Sequence, residues 1–342
     1  MDATLSSGVV RAGRQAREQF HDARGYGDPD GDGVRLAPVE AAHLLYRGDL
    51  DAVDGMDFRE FLASAACPDL HFLVYKDLRD RGFYLSPTGA DWVADYGGTD
   101  LVVYPRGKGP WDDEVAYRVR VVSERATVPA SDLGNVVLAV VDEESEITYL
   151  ETDRPDVSGS TAYDAPDDTP GSLLDDRVLL WDPPADLYEH GFYGQPLDRD
   201  GETVETLQLS LVEAAYLVRQ GALALGTDGD DETAVLERGR TVEGDRFDRR
   251  LRVYTALREA GVVPKTGYKF GADFRTYADV ESVSELSHSE LLIRVVPDGH
   301  GFAPRDLALD VRLAGGVRKR MVFALVGDDG GIAWLSAERL TP

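Results

Sequence analysis

Residues 39–50 read VEAAHLLYRGDL and residues 212–223 read VEAAYLVRQGAL. A self-match of this kind is sought before anything else, because an unnoticed repeat misreads the whole architecture. Working outward, each copy is preceded by a Tyr-Gly-x-Pro turn, at 26–29 and 193–196. Downstream, VYKDLRDRG at 74–82 answers VYTALREAG at 253–261, and RVV at 120–122 answers RVV at 294–296. Four collinear matches, offset by 167 to 179 residues, define a duplication whose period is far longer than a solenoid repeat.

Each half divides again at a segment rich in acidic residues, 52–68 in the first and 226–248 in the second. The first part of each half has an extended entry and then a helix, with Leu44 and Leu45 or Leu217 and Val218 at helical spacing. The second part opens with an amphipathic helix closed by Gly82 or Gly261, a residue suited to a left-handed C-cap. The β-branched runs LVVY, YRVRVV, NVVLAVV, LLIRVV and MVFALV follow and read as strands. Residues 151–172 are polar, Pro-rich and Gly-containing, as a linker should be. The expected organisation is α/β (α+β): domains at 1–68 and 69–152, a linker at 153–172, and domains at 173–248 and 249–342.

The chain has 342 residues and a net charge of −27, with 43% hydrophobic residues. No apolar run approaches the 18 or so residues that span a bilayer, and residues 1–20 lack the pattern of a secretory signal. A soluble, cytoplasmic protein is expected. Cys67 is the single cysteine, which excludes an internal disulfide and a cysteine-built zinc site and leaves a small buried apolar residue. So negative a chain ordinarily disfavours a nucleic-acid partner, because phosphate binding needs Lys or Arg. Here, though, the carboxylates are dispersed and lysine is confined to Lys76, Lys108, Lys265, Lys269 and Lys319. That is the surface of a salt-loving organism's protein, tolerable because molar salt shrinks the Debye length to about 3 Å. Where the cations cluster matters more than the net charge.

They cluster late. The second half contains YKFGADFRTY ending at Tyr277, then His288 in SELSHSELLIRVV, then RLAGGVRKR at 312–320, and finally IAWLSAERL with Trp334. A KFG-x-DF-x-x-Tyr strand, a His eleven residues later and a Lys about thirty residues after that, in an R-x(6)-K pattern, resembles the catalytic domain of archaeal tRNA-splicing endonucleases. The detailed match runs from Arg252 to Leu340, and the duplication extends it loosely over the whole chain.

The resemblance implies two tandem repeats, each a small N-terminal α/β domain followed by a restriction-endonuclease-like mixed α/β domain. It implies Tyr277 as general base, His288 as general acid and Lys319 as the cation that stabilises charge building on phosphorus. Arg312 and Trp334 match the pair that sandwiches a bulged base. A ribose 2′-hydroxyl must lose a proton, the departing 5′-oxygen must gain one, and the phosphorane needs a fixed cation. The implied products are a 2′,3′-cyclic phosphate and a 5′-hydroxyl, with no metal or other cofactor required and DNA inert. The implied partners are intron-containing precursor tRNA and a second copy of the chain. A tyrosine is a poor base at neutral pH unless cations are near, and Lys319 and Arg320 are candidates for that help.

Other readings stand beside these. A tyrosine ending a strand is ordinarily a packing residue, Trp334 among apolar neighbours would by default be core, and the Arg318–Arg320 run could be a solvated edge. His21, His43, His71, His190 and His300 read as bystanders on the surface. Asp273 and Glu290 could instead hold a divalent cation in a metal-dependent nuclease, and a non-catalytic RNA-binding or assembly subunit could keep the same fold. The first half supplies an internal control: alignment sets Tyr104 opposite Tyr277, Glu114 near His288 and Gly134 where Lys319 stands. The first half keeps the scaffold and lacks the acid and the cation. By the resemblance, its acidic loop of Asp142, Glu143, Glu144 and Glu146 docks into a basic cleft of another subunit; the plainer alternative is a solvated hairpin tip.

Overall fold

The repeat seen in sequence is a repeat of hydrogen-bonding register. In a computed structural model describing residues 1–93, 97–112, 114–198, 204–286 and 288–342, the chain divides into two units. One comprises 1–153 with 301–310 and 337–342, the other 154–300 with 311–336.

The first unit begins with strands β1 (Asp2–Ser6), β2 (Val9–Ala12), β3 (Asp28–Asp30), β4 (Gly33–Leu36) and β5 (Ala52–Val53), in the sheet order β3-β4-β2-β1-β5. Its second domain carries β6 (Leu85–Pro87), β7 (Leu101–Val103), β8 (Tyr117–Ser123), β9 (Val128–Pro129), β10 (Val136–Val141) and β11 (Ile147–Asp153). The other half repeats the series with β12 (Thr169–Leu173), β13 (Arg177–Trp181), β14 (Gln195–Pro196), β15 (Thr206–Ser210) and β16 (Leu223–Ala224), in the order β14-β15-β13-β12-β16. Then come β17 (Val263–Thr266), β18 (Phe274–Tyr277), β19 (Leu291–Pro297), β20 (Gly301–Phe302), β21 (Arg320–Val326) and β22 (Ile332–Leu340). The order β6-β7-β8-β10-β11 in the first half answers β17-β18-β19-β21-β22 in the second.

The registers coincide residue by residue. Leu101 faces Val119 and Phe274 faces Ile293, in antiparallel pairs. Val119 faces Val137 and Ile293 faces Val322, in parallel pairs. The mixed sheets explain the hydrophobic runs: all six residues of β10 are buried, as expected of a central strand covered on both faces. Helix Asp69–Asp80 buries Phe72, Tyr75 and Leu78, and helix Arg246–Glu259 buries Phe247, Leu251, Tyr254 and Leu257, the stripe of an amphipathic helix. Both end as their closing glycines predict, with Gly82 at φ 89° and Gly261 at φ 73°.

The VEAA signature also has a physical cause. Glu40 caps its own helix by accepting from the Ala37 N–H at 2.8 Å and reaches the Gly27 N–H of the Tyr-Gly-x-Pro turn at 2.8 Å. Glu213 does the same with Ser210 at 2.9 Å and Gly194 at 3.0 Å. One carboxylate thus ties helix to turn in each half, which is why the two motifs travel together.

Three expectations change. The acidic segments expected to mark domain divisions contain helices, Phe58–Ala63 and Asp231–Glu243, because Asp57 and Asp230 cap them and Phe61 and Val235 bury. Strand β12 starts at Thr169, inside the expected linker 153–172, since Thr169 pairs with Leu223. Before it, the Gly159 N–H reaches the Ala260 carbonyl and the Ser160 N–H the Ala278 carbonyl, each at 2.8 Å, so the connecting segment is packed onto the second unit. His43 is not a surface residue: it is 1% exposed, held on a helix face that turns inward. Cys67 is a buried free thiol, and burial pushes it up to about 12. No helix among the described residues is long and apolar enough to cross a membrane.

Candidate active site

Tyr277, His288 and Lys319 come from three strand ends. Tyr277 is the last residue of β18, His288 lies just before β19, and Lys319 immediately precedes β21. Because β18 runs antiparallel to β19 and β19 parallel to β21, the end of β18 and the starts of β19 and β21 lie at one edge of the sheet. The ladder continues past the strands there: the Glu290 N–H donates to the Thr276 carbonyl and the Arg320 N–H to the Glu290 carbonyl, both at 3.1 Å. The Lys319 ammonium donates to the Ser289 carbonyl at 2.7 Å, beside His288.

Lys319 owes its place to the helix that connects β19 to β21. Helix Pro304–Gly316 ends with the Arg318 N–H bonded to the Gly315 carbonyl at 3.0 Å and the Lys319 N–H to the Ala314 carbonyl at 2.9 Å, a Schellman closure. Arg318 takes the left-handed position at φ 57°, a strain of about 1 kcal/mol for a residue with a Cβ. The lysine then emerges at the sheet edge over the Phe270 ring, 5.6 Å from its centre. Desolvation, then the charge of Arg275, hold Lys319 below the ordinary lysine range.

Tyr277 is 6% exposed, with its ring against Phe192, Val263 and Val280. The strand end therefore packs as a core residue, while His288 stands exposed. Sequence reasoning missed Arg275. Its guanidinium carbon lies 5.9 Å from the centre of the Tyr277 ring and its charge acts on Lys319. It was detectable as the residue two before Tyr277, hence on the same strand face. Arg312 is exposed on the helix that leads to Lys319, and Trp334, on β22, is half-buried against the second half's core.

Asp273 is committed elsewhere. One carboxylate oxygen bonds Arg246 at 2.5 Å and lies 3.0 Å from Arg250, and the other accepts the Val295 N–H at 2.9 Å. In the first half Asp100 likewise accepts the Val121 N–H at 2.7 Å. The acid of the G-x-D motif is a staple between neighbouring strands, and its oxygens are taken, which counts against pairing it with Glu290 around a cation. In the acidic loop, Asp142 caps the turn by accepting from Glu144 and Glu146 N–H groups at 2.9 Å each, and Glu143 pairs with Arg125. Glu144 and Glu146 remain as the exposed carboxylates of that loop.

The description "tRNA intron endonuclease, catalytic C-terminal domain" matches residues 247–334, and its N-terminal counterpart matches twice, at 1–62 and 169–237. The chain is 64% identical to a tRNA-splicing endonuclease of Haloarcula marismortui and 63% identical to one of Natronomonas pharaonis, with 100% of both chains covered in each case. It is 37% identical to a tRNA-splicing endonuclease of Methanosarcina acetivorans over 99% of both chains. With catalytic-domain geometry in the second half and two copies of the N-terminal domain, this chain belongs to the tRNA intron endonuclease family.

Proposed function

We propose that this chain cuts precursor tRNA at intron boundaries, recognising bulge-helix-bulge elements and cleaving by attack of a ribose 2′-hydroxyl on the adjacent phosphorus. Tyr277 takes the proton of the 2′-hydroxyl as the O–P bond forms, and His288 gives a proton to the 5′-oxygen as the P–O bond breaks. Lys319 and the neighbouring Arg275 place positive charge where the phosphorane's negative charge grows. The products are a 2′,3′-cyclic phosphate and a 5′-hydroxyl, so the reaction is that of an RNA lyase. Arg312 and Trp334 hold an extruded bulge base between guanidinium and indole. A homodimer, with Glu144 and Glu146 docking into a partner copy, would set two such sites for the two cuts, in the cytoplasm.

The observation that carries this reading is the meeting of three strand ends at one sheet edge in the second half, where Lys319 is anchored to the residue next to His288. The test is cleavage of an end-labelled bulge-helix-bulge RNA in high KCl with EDTA, comparing wild type with His288→Ala and reading the end chemistry. Cyclic-phosphate ends at both bulges, with the variant strongly slowed, are expected. Cutting that begins only when magnesium replaces EDTA, and equally in both proteins, would sink the assignment.

A further inference from the structure

A second polar centre lies in the first half, and the cleavage chemistry does not use it. Tyr26 from the Tyr-Gly-x-Pro turn, His43 from helix Pro38–Tyr46 and Arg79 from helix Asp69–Asp80 meet in its interior. The Arg79 guanidinium lies 3.8 Å from the Tyr26 ring centre and donates to the Arg24 carbonyl at 3.0 Å. The Tyr26 hydroxyl is 2.9 Å from His43 Nδ1. Burial, then the charges of Arg79 and Arg47, push His43 down to about 4, so the ring is neutral at neutral pH. Nε2 is buried and has no hydrogen-bond partner in the protein. A buried polar atom without a partner is costly and therefore informative.

His43 lines a cavity of about 230 Å³ together with Arg24, Arg47, Arg79, Tyr26 and Tyr84, and no carboxylate is in the lining. Asp49, outside it, pairs with Arg24 at 2.8 Å and with Arg47 at 2.9 Å. Three arginines around one cavity, with a buried imidazole in its wall, are a concentration of cations in a chain of net charge −27.

The second half again supplies the control. Arg258 lies 4.1 Å from the Tyr193 ring and donates to the Gly191 carbonyl at 2.9 Å, repeating the Arg79 arrangement. There, however, Gly191, Tyr216 and Gln220 stand where the first half has Arg24, His43 and Arg47. Tyr163 of the connecting segment packs near Tyr193, with ring centres 6.4 Å apart, and lies so close to Gly191 that a Cβ there would be 2.7 Å from its ring. The pocket at this place, about 470 Å³, is lined by Tyr163, Tyr193, Tyr216 and Arg258 together with Asp164 and Glu259, so it has one arginine and two carboxylates where the first-half cavity has three arginines.

We propose that the first-half cavity is a phosphate site, in which the guanidinium groups of Arg24, Arg47 and Arg79 hold the oxygens of one phosphate group, with the His43 ring in the cavity wall. The group is either free inorganic phosphate or a phosphodiester of the RNA; the second source rests on the function proposed above, the site itself does not. At molar salt, screening within about 3 Å removes long-range attraction, so only donors in direct contact can hold a phosphate, and this cavity supplies them.

The test titrates the full chain with inorganic phosphate alone in KCl by calorimetry and follows the thermal midpoint. The comparison protein carries His43→Tyr with Arg47→Gln, the residues that the same fold already accommodates in its other half. Wild type is expected to bind one phosphate per chain with a raised midpoint, and the double variant to bind about tenfold more weakly or worse, the loss of charge-assisted hydrogen bonds. If the double variant does not fold, Arg47→Gln alone is compared, since Arg47 is exposed. Affinity is then measured for a bulge-helix-bulge RNA with 2′-deoxy sugars at the cut positions. Weaker RNA binding by the variant assigns the phosphate to RNA; unchanged RNA binding with lost phosphate binding assigns it to the free ion. No phosphate binding to wild type, or equal binding to both proteins, overturns the site. Phosphate binding by a wild-type protein that fails to cut RNA would instead overturn the proposed function and leave the site standing.

Discussion

The two sheet edges of this chain present one scaffold in two states of equipment. In the first half, β7 leads to Tyr104, whose hydroxyl donates to Ser86 at 2.9 Å; Glu114 pairs with Lys108 at 3.6 Å; and Gly134, at φ 100°, precedes β10. In the second, the same register positions hold Tyr277, His288 and Lys319, and Lys265 replaces Ser86. The crossover differs as well. Between β8 and β10 the chain makes only the 3₁₀ turn Ala130–Asp132, whereas between β19 and β21 it makes helix Pro304–Gly316, whose closure delivers Lys319. The strand pairings are therefore the same in both halves although one connection is shorter.

The comparison breaks most visibly at His288. His288→Ala should slow single-turnover cleavage by about 10²–10⁴-fold, the range for a general acid, while Glu114→Ala in the equivalent place leaves the rate unchanged. Equal slowing by both changes would mean that the halves share the work. Asp273→Ala should destabilise the second half by about 3–5 kcal/mol in denaturant titration, because it strands Arg246 and Arg250 beside a buried position, and its activity should stay indifferent to EDTA. A normally stable variant whose activity responds to added magnesium would revive the metal reading. Lys319→Ala should cost about 10²–10³-fold in rate with RNA affinity much less affected; a loss confined to affinity would make the lysine a binding residue only.

Glu40 sharpens the comparison through pH. Desolvation pushes it up to about 7 although the Ala37 and Gly27 N–H groups favour its charge. A folded value above the ordinary 4.5 means that the folded state holds the proton longer, so stability is full below about pH 4.5 and falls as pH rises toward 7. Glu40→Gln should flatten that fall, a difference of about 3 kcal/mol between the ends of the window by chemical denaturation; an unchanged slope would show that Glu40 is not its source. The smallest effect on folding is expected from Glu144→Gln with Glu146→Gln, within about 0.5 kcal/mol. Sedimentation should nevertheless shift toward single chains if that loop docks a second copy, and stay put if it is only a hairpin tip.

Much of this was legible in the chain. VEAA, the Tyr-Gly-x-Pro turn, the closing glycines and the β-branched runs specify local structure by spacing, and the spacing survives duplication because each motif is satisfied by neighbours within its own half, as Glu40 and Glu213 show. The positions of Tyr277, His288 and Lys319 relative to Tyr104, Glu114 and Gly134 followed from alignment, and the strand registers reproduce that alignment. Arg275 was overlooked because, although its place two residues before Tyr277 puts it on the same strand face, only the folded chain brings its charge to act on Lys319.

What the sequence determined by itself was the duplication, the mixed α/β class and which half resembles the family's catalytic domain, since periodicity, turn chemistry and residue identity are properties of the chain read in order. Tertiary structure alone decided that Asp273 is a staple between strands, that His43 is buried with one nitrogen unpaired, and that three arginines line a cavity in one half where the other half has one arginine with two carboxylates. These depend on which side chains from distant segments meet, and a carboxylate or an imidazole acquires its role from the partners that folding places within hydrogen-bond reach.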